Sequence, residues 1–187
     1  MLAVNTISSH AHRVEQLQIQ RLSETVLQEL QSSAVEMLQT FDPGVEDIEI
    51  WSQSGVRPTL YIRHRDFGLA PLSMFGDGMR RILLMATTIP LCKDGVLLID
   101  ELEIALHTQA LHTSFDWLVQ SCVHNNIQLV ATTHSLETVD ALLEVCRHHE
   151  NLVVYRLEHH KDQTTTTTLD KELLITLREE LGREVRW

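Results

Sequence analysis

An α/β fold, with a largely parallel sheet flanked by helices, is predicted by three observations in this 187-residue sequence. Val96–Ile99 is a short all-aliphatic run, the kind of strand that is buried on both faces of a parallel sheet. Residues 127–132 form a second such run. Stretches of helical period precede, separate and follow the two, and strands alternating with helices argue for a parallel core.

The elements follow in order. Over residues 10–41, Val14, Leu17, Leu22, Val26, Leu30, Ala34, Leu38 and Phe41 recur mostly at three- and four-residue steps, which predicts one long N-terminal helix. It serves equally as a helix packed on its own domain or as an arm. Asp42-Pro43-Gly44 stops it, because proline lacks the donor and glycine opens a turn. Residues 48–51 and 59–63 alternate in polarity about a turn at 52–55, a β-hairpin. Residues 76–92 read as a helix opened by a glycine pair, 103–124 as mostly helical, and 135–148 as helical again. A strand at 152–157, a short extended piece at 164–169 and a helix near 170–181 complete the chain. The threonine run at 164–168 is β-branched, so an edge strand is expected there. Two segments result, a helical one over 1–44 and an α/β one over 45–187.

Bulk properties exclude several classes. Hydrophobic residues make up 43% and charged residues 22%, ordinary values for a soluble globular protein. The formal net charge is −11, unsuited to general nucleic-acid binding, which needs clustered Lys and Arg. The best local basic group is Arg57, Arg63, His64 and Arg65. Cys92, Cys122 and Cys146 are odd in number, widely spaced and free of a CxxC pair, which argues against a disulfide framework or zinc ribbon. No signal peptide is read at the start, and no apolar run approaches the roughly 20 residues of a membrane span. A reduced, soluble, cytoplasmic protein is expected.

Parallel sheets bind ligands at the carboxyl ends of their strands. Here the first strand ends in Asp100-Glu101 and the second in Thr132-Thr133-His134-Ser135. A hydrated Mg²⁺ wants carboxylate oxygens beside substrate phosphates. Water attacking a phosphoryl group wants a second carboxylate to orient it and a donor facing the transferred phosphate. Asp100, Glu101 and His134 match those roles in that order. Residues 71–85, PLSMFGDGMRRILLM, place Ser73, Gly76 and Gly78 before a helix, where free amides and a hydroxyl suit an anion. Each feature alone has an ordinary structural reading: an acid capping the next helix, a hydrogen-bonding histidine, a glycine-rich helix start.

Taken together, in the order LSxxGxG, aliphatic-DE, ALH, TTHS, these residues resemble the C-terminal half of an ATP-binding-cassette-type ATPase domain, in the OLD/RecF-like branch of AAA family ATPases. The resemblance covers roughly residues 45–187, including the closing Glu184-Val185-Arg186. It implies a signature from Leu72-Ser73 to Gly78, a Walker B strand at 96–101, a D-loop at 104–107 and a switch histidine at His134. It further implies ATP and Mg²⁺ as cofactors. Asp100 would bind the metal, Glu101 and His134 would be catalytic, and Ser73, Gly76, Gly78 and His107 would contact nucleotide. Residues 1–41 would be the helical insertion that precedes the signature in this branch.

The same resemblance implies a Walker A loop, GxxxxGK[ST], upstream of the signature. None of the seven glycines is followed by lysine, and none precedes Gly44. The expectation is therefore the hydrolytic half without the phosphate-gripping half, working by self-association or with a Walker A-bearing chain. A P-loop fold incomplete in this way would expose an edge or an apolar face that a partner covers. The signature departs from the LSGGQ pattern, with Met74 and the bulky Phe75 in place of small residues. DNA as a partner follows from family analogy only. Alternatives are a non-catalytic dimerising module left from such an ATPase, or a metal hydrolase on Asp100, Glu101, His107 and His134. Arg80 and Arg81 are expected on a solvated or salt-bridged helix face.

Overall fold

The computed structural model describes residues 2–52, 57–148, 152–160 and 163–180. The chain divides into two compact units after Thr132.

The first unit holds the parallel sheet. Its strands are β1 (Val4–Ile7), β5 (Val96–Ile99) and β6 (Gln128–Ala131), in the order β1-β5-β6, both pairings parallel. Between β1 and β5 the chain makes α1 (Glu15–Leu27) and α2 (Gln31–Phe41). An antiparallel sheet of β2 (Val45–Trp51), β3 (Thr59–His64) and β4 (Gly68–Pro71) follows, then α3 (Gly76–Thr88). Helix α4 (Thr108–His124) links β5 to β6. The α/β class with a parallel core is thus the observed one, and residues 1–44 lie within this unit.

Helix α3 is the centre of the packing. Residues 81–88 are all buried, against α1, α2 and β1. A helix apolar all round belongs in an interior. Its two buried threonines are satisfied locally: Thr87 and Thr88 donate to the carbonyls of Leu83 and Leu84 at 2.8 and 2.7 Å. Pro90 ends the helix early, and 89–92 tightens into a 3-10 turn where a helix to 92 was expected.

Two expectations are corrected here. The single helix over 10–41 is two helices, broken at residues 28–30, where Glu29 adopts φ +59°. No Gly or Pro marks the break. The turn instead re-aims α2 so that Ala34, Val35, Met37 and Leu38 are buried, which continuation of one straight helix would not achieve. A strand, β1, also precedes the helices, registered Val4↔Val96 through Ile7↔Ile99. Its four residues include Asn5 and Thr6, so no apolar run announces it. The hairpin carries the further strand β4; part of its turn, 53–56, lies outside the described residues.

The second unit contains α5 (Leu136–Val145), the antiparallel ribbon of β7 (Val153–His160) and β8 (Gln163–Asp170), and the short α6 (Lys171–Ile175), extended by a π turn over 176–180. Val139, Leu143, Leu169 and Leu174 form its core. Arg178 clasps Asp140 with two bonds of 2.7 Å, and Asp170 caps α6 by accepting the Leu173 N–H at 2.9 Å. The threonine run forms β8, a strand at a ribbon's edge as expected. The closing residues 184–186 lie outside the described residues.

Candidate functional site

Parallel pairing of Ile99 with Ala131 makes Asp100 and Thr132 the next pair at the carboxyl ends of β5 and β6. Thr132 Oγ1 donates to Asp100 Oδ1 at 2.8 Å and accepts the Glu101 N–H at 2.9 Å. Main-chain bonds hold the same corner: Asp100 N–H to the Ile7 carbonyl at 2.9 Å, and Leu102 N–H to the Thr132 carbonyl at 2.9 Å. The Asp100 carboxylate is therefore oriented from the neighbouring strand, and its amide from β1. Sequence placed Thr132 only within the polar strand end 132–135 and gave it no role of its own. Counting the strand register one residue past β5 and β6 would have found it.

Glu101 has φ +50°, the left-handed region, which costs a non-glycine residue about 1–2 kcal/mol. Such backbone persists only where its surroundings enforce it, and it concentrates at functional sites. Behind this corner stands Arg81, with none of its surface exposed. Its guanidinium donates to the carbonyls of Ser8 at 2.8 Å, Asp100 at 3.0 Å and Glu101 at 3.1 Å. Burial pulls its pKa down to about 10, opposed by the charges of Asp100, Glu101 and Glu103. The expected solvated face for Arg81 is corrected: it points inward.

The glycine-rich segment forms a 3-10 turn, Leu72–Phe75, leading into α3. Gly76 has φ +80°, and nothing lies within 4 Å of the place a Cβ would take. Phe75, at the N-cap, makes no side-chain cap bond, so the first-turn amides of α3 have no side-chain acceptor there. Ser73 and Gly76 are exposed. At Gly78 a Cβ would stand 3.0 Å from the Ala105 carbonyl, so its lack of a side chain lets α3 lie against the 101–106 turn. Asp77, in the first helical turn, is held by Arg13 at 2.8 Å, with Arg80 at 4.0 Å. His12, also buried, stands 3.9 Å from Asp77, and burial lowers its pKa, with Arg81 adding to the effect.

His107 caps α4: its Nδ1 accepts the Gln109 N–H at 3.3 Å. With Phe41, Phe75, Gly78, Met79 and Ile82 it lines a mostly apolar cavity of about 220 Å³. His134 is exposed and belongs to the second unit, just before Ser135, whose Oγ caps α5 by accepting the Thr138 N–H at 3.2 Å.

Among the described residues no group of three or more His, Cys, Asp or Glu side chains could hold a metal. That gives no support to the metal-hydrolase reading. A hydrated Mg²⁺ takes carboxylate oxygens beside substrate phosphates, and the Asp100 carboxylate, oriented by Thr132, is the group that could offer one at this corner. Two members of the basic group at 57–65 are engaged elsewhere. Arg63 donates to Glu49 at 2.8 Å, and His64 is buried, 3.1 Å from Asp42. All three cysteines are free and buried, and burial pushes the Cys122 thiol up to about 12. No helix among the described residues is long and apolar enough to cross a membrane.

Residues 5–140 match the family described as "AAA domain, putative AbiEii toxin, Type IV TA system". A protein of Methanocaldococcus jannaschii, "Uncharacterized protein MJECL11", is 41% identical over 69 residues, 37% of this chain and 60% of that protein. The chain thus spans 60% of the length of the curated relative it matches. Among solved structures, an SMC ATPase described for ATP-driven dimerization and DNA-stimulated activation superposes with a TM-score of 0.60 at 9% identity, covering 88% of this chain and 98% of that one. An Smc head domain from Pyrococcus furiosus, bound to the C-terminal domain of ScpA, gives 0.56 at 11% identity, over 92% of this chain and 42% of that one. The SMC head domain from Thermotoga maritima gives 0.53 at 12%, over 88% and 53%. At these identities the likeness is one of fold.

Proposed function

This chain belongs to the AAA-domain family described as a putative AbiEii toxin of type IV toxin–antitoxin systems, and we propose that it is the signature, Walker B, D-loop and H-switch half of an ABC-type ATPase domain. The observation that carries the reading is the corner at the ends of β5 and β6, where Thr132 orients the Asp100 carboxylate beside a strained Glu101. Mg-ATP, when bound, supplies the transferable phosphoryl group and the metal charge that neutralises it. Asp100 would hold the metal, and Glu101 would orient a water and accept its proton. His134 would donate toward the phosphate, and Ser73 with the uncapped amides at Gly76 and Gly78 would face an anion. His107, whose Nδ1 caps α4, would contact nucleotide.

The phosphate-gripping loop comes from another chain or from a segment outside these 187 residues. Helices α1 and α2 would correspond to a helical insertion of the domain, while β1 belongs to the parallel sheet itself. Support for a missing strand is local: β6 pairs only with β5 among the described strands, and Val130 on it is 49% exposed. An open parallel edge is a template for one more strand. The SMC ATPase of the first comparison is described as dimerizing with ATP; self-association of this chain is the corresponding proposal, and DNA remains a partner by analogy alone.

The test is Mg-ATP hydrolysis and nucleotide binding by the purified chain beside Glu101→Gln, alone and with a Walker A-bearing chain that co-purifies with it. Expected are no turnover alone, and turnover on completion that Glu101→Gln abolishes while sparing nucleotide binding. Turnover indifferent to Glu101→Gln would remove Glu101 from the chemistry. A completed assembly that binds but never hydrolyses would favour the non-catalytic module.

A further inference from the structure

Arg81 is the most deeply buried ionic group of the first unit, and its bonding differs from that of an ordinary buried arginine. Arginine buried for charge balance usually meets a carboxylate directly, often with two parallel bonds. Here the guanidinium bonds run to three main-chain carbonyls, and Nε is buried without a hydrogen-bond partner. The carboxylates of Asp100, Glu101 and Glu103 act on it only through their charge. Leaving a buried guanidinium donor unsatisfied is costly, so the geometry favours the carbonyl bonds over complete pairing.

The choice of carbonyls matters. Those of Asp100 and Glu101 belong to the two peptide planes on either side of the Glu101 Cα, and one Nη bridges both. Fixing both planes fixes φ and ψ of the residue between them, and that residue holds φ +50°. The third carbonyl, of Ser8, lies at the end of β1, so one side chain on α3 joins two adjacent strand ends. Helix α3 is immobilised in turn by burial along residues 81–88 and by the Arg13–Asp77 pair at its start.

We infer that Arg81 is a positioning residue: its forked bonds to the carbonyls of Ser8, Asp100 and Glu101 hold Glu101 in its left-handed conformation and thereby aim the carboxylate pair. The inference concerns the geometry of the corner; its meaning for catalysis rests on the function proposed above. Lysine at this position keeps the charge but lacks the planar fork. Methionine keeps much of the bulk and loses both.

The experiment compares the full chain with Arg81→Lys and Arg81→Met by amide hydrogen exchange and by Mn²⁺ titration followed by electron paramagnetic resonance, with Asp100→Asn as the baseline for metal. Expected in Arg81→Lys is a loss of protection of about tenfold or more at the amides of Glu101 and Leu102, while Leu60 and Ile62 in the antiparallel sheet keep theirs. Mn²⁺ affinity is expected to fall about tenfold, the usual scale for removing support behind a metal ligand. Unchanged protection at 101–102 in a folded Arg81→Lys overturns the inference. Should neither variant fold, the unmodified chain decides: ¹⁵N spectra are expected to show Arg81 Nη groups that rotate slowly and exchange slowly, and a freely rotating guanidinium overturns it. If the unmodified chain binds no Mn²⁺, the metal role of Asp100 falls, while the exchange data still judge Arg81.

Discussion

Thr132 and Asp100 show how much of the proposed chemistry depends on single hydroxyl and carboxylate groups. The threonine serves the Asp100 side chain and the Glu101 amide at once. Thr132→Val removes both services at nearly constant volume. It is expected to weaken Mn²⁺ binding about tenfold with little change in the far-ultraviolet circular dichroism, and wild-type affinity in this variant would take Thr132 out of the site. His12 is a second residue-scale case. Burial, with Arg81 and the neighbouring Arg13 and His10 acting in the same direction and Asp77 against, lowers its pKa from 6.5. The unfolded chain therefore binds a proton first as pH falls below 6.5, and the folded state loses stability down to the folded pKa. Above pH 6.5 the group contributes nothing to the slope. Denaturant titrations of wild type and His12→Gln between pH 7 and 5 are expected to diverge, with the variant flatter.

At the scale of elements, α3 and the turn after β5 behave oppositely. Leu83 has no exposed surface, in the middle of a helix buried on every side. Leu83→Ala should cost about 3 kcal/mol in urea unfolding, the usual range for a large cavity in a core that cannot collapse. A cost under about 1 kcal/mol would mean that α3 is not the packing centre. The turn instead stores strain. Ala105, at φ +65°, has a side chain with no use for that conformation. Ala105→Gly should stabilise by about 0.5–1 kcal/mol, the left-handed cost less the added chain entropy of glycine. A lower melting temperature would show that the Ala105 methyl packs in the neighbouring cavity to greater effect than its backbone is strained.

At the scale of the whole molecule, β6 pairs only with β5 among the described strands, and Val130 on it is 49% exposed. Under the function proposed above, this is where a further strand, from a second copy or another chain, would add. Light scattering of the purified chain is expected to show association, and Val130→Glu to reduce it without altering the melting temperature by more than a few degrees. A monodisperse monomer for the unmodified chain would count against an interface there. The acidic balance, −11 overall, is unfavourable for direct contact with DNA phosphates, and Arg63 is already engaged by Glu49.

What the sequence by itself determined is the parallel core and the place of the carboxylates. Aliphatic runs such as 96–99 have few alternatives to a buried strand, and polar residues at their ends must lie at the sheet's carboxyl edge. The glycine pair before α3 was legible for the same reason, since a positive φ at Gly76 needs that residue type. Tertiary structure alone decided the rest. Strand β1 is made by its partner β5 rather than by its own composition, and the break at 28–30 by what α2 must bury. Arg81 looked like one of a surface pair because charge is normally solvated; only the meeting of β1, β5 and α3 supplies the three carbonyls that make its burial tolerable. Thr132 acquires its role from strand register, a relation between segments 32 residues apart that no local pattern encodes.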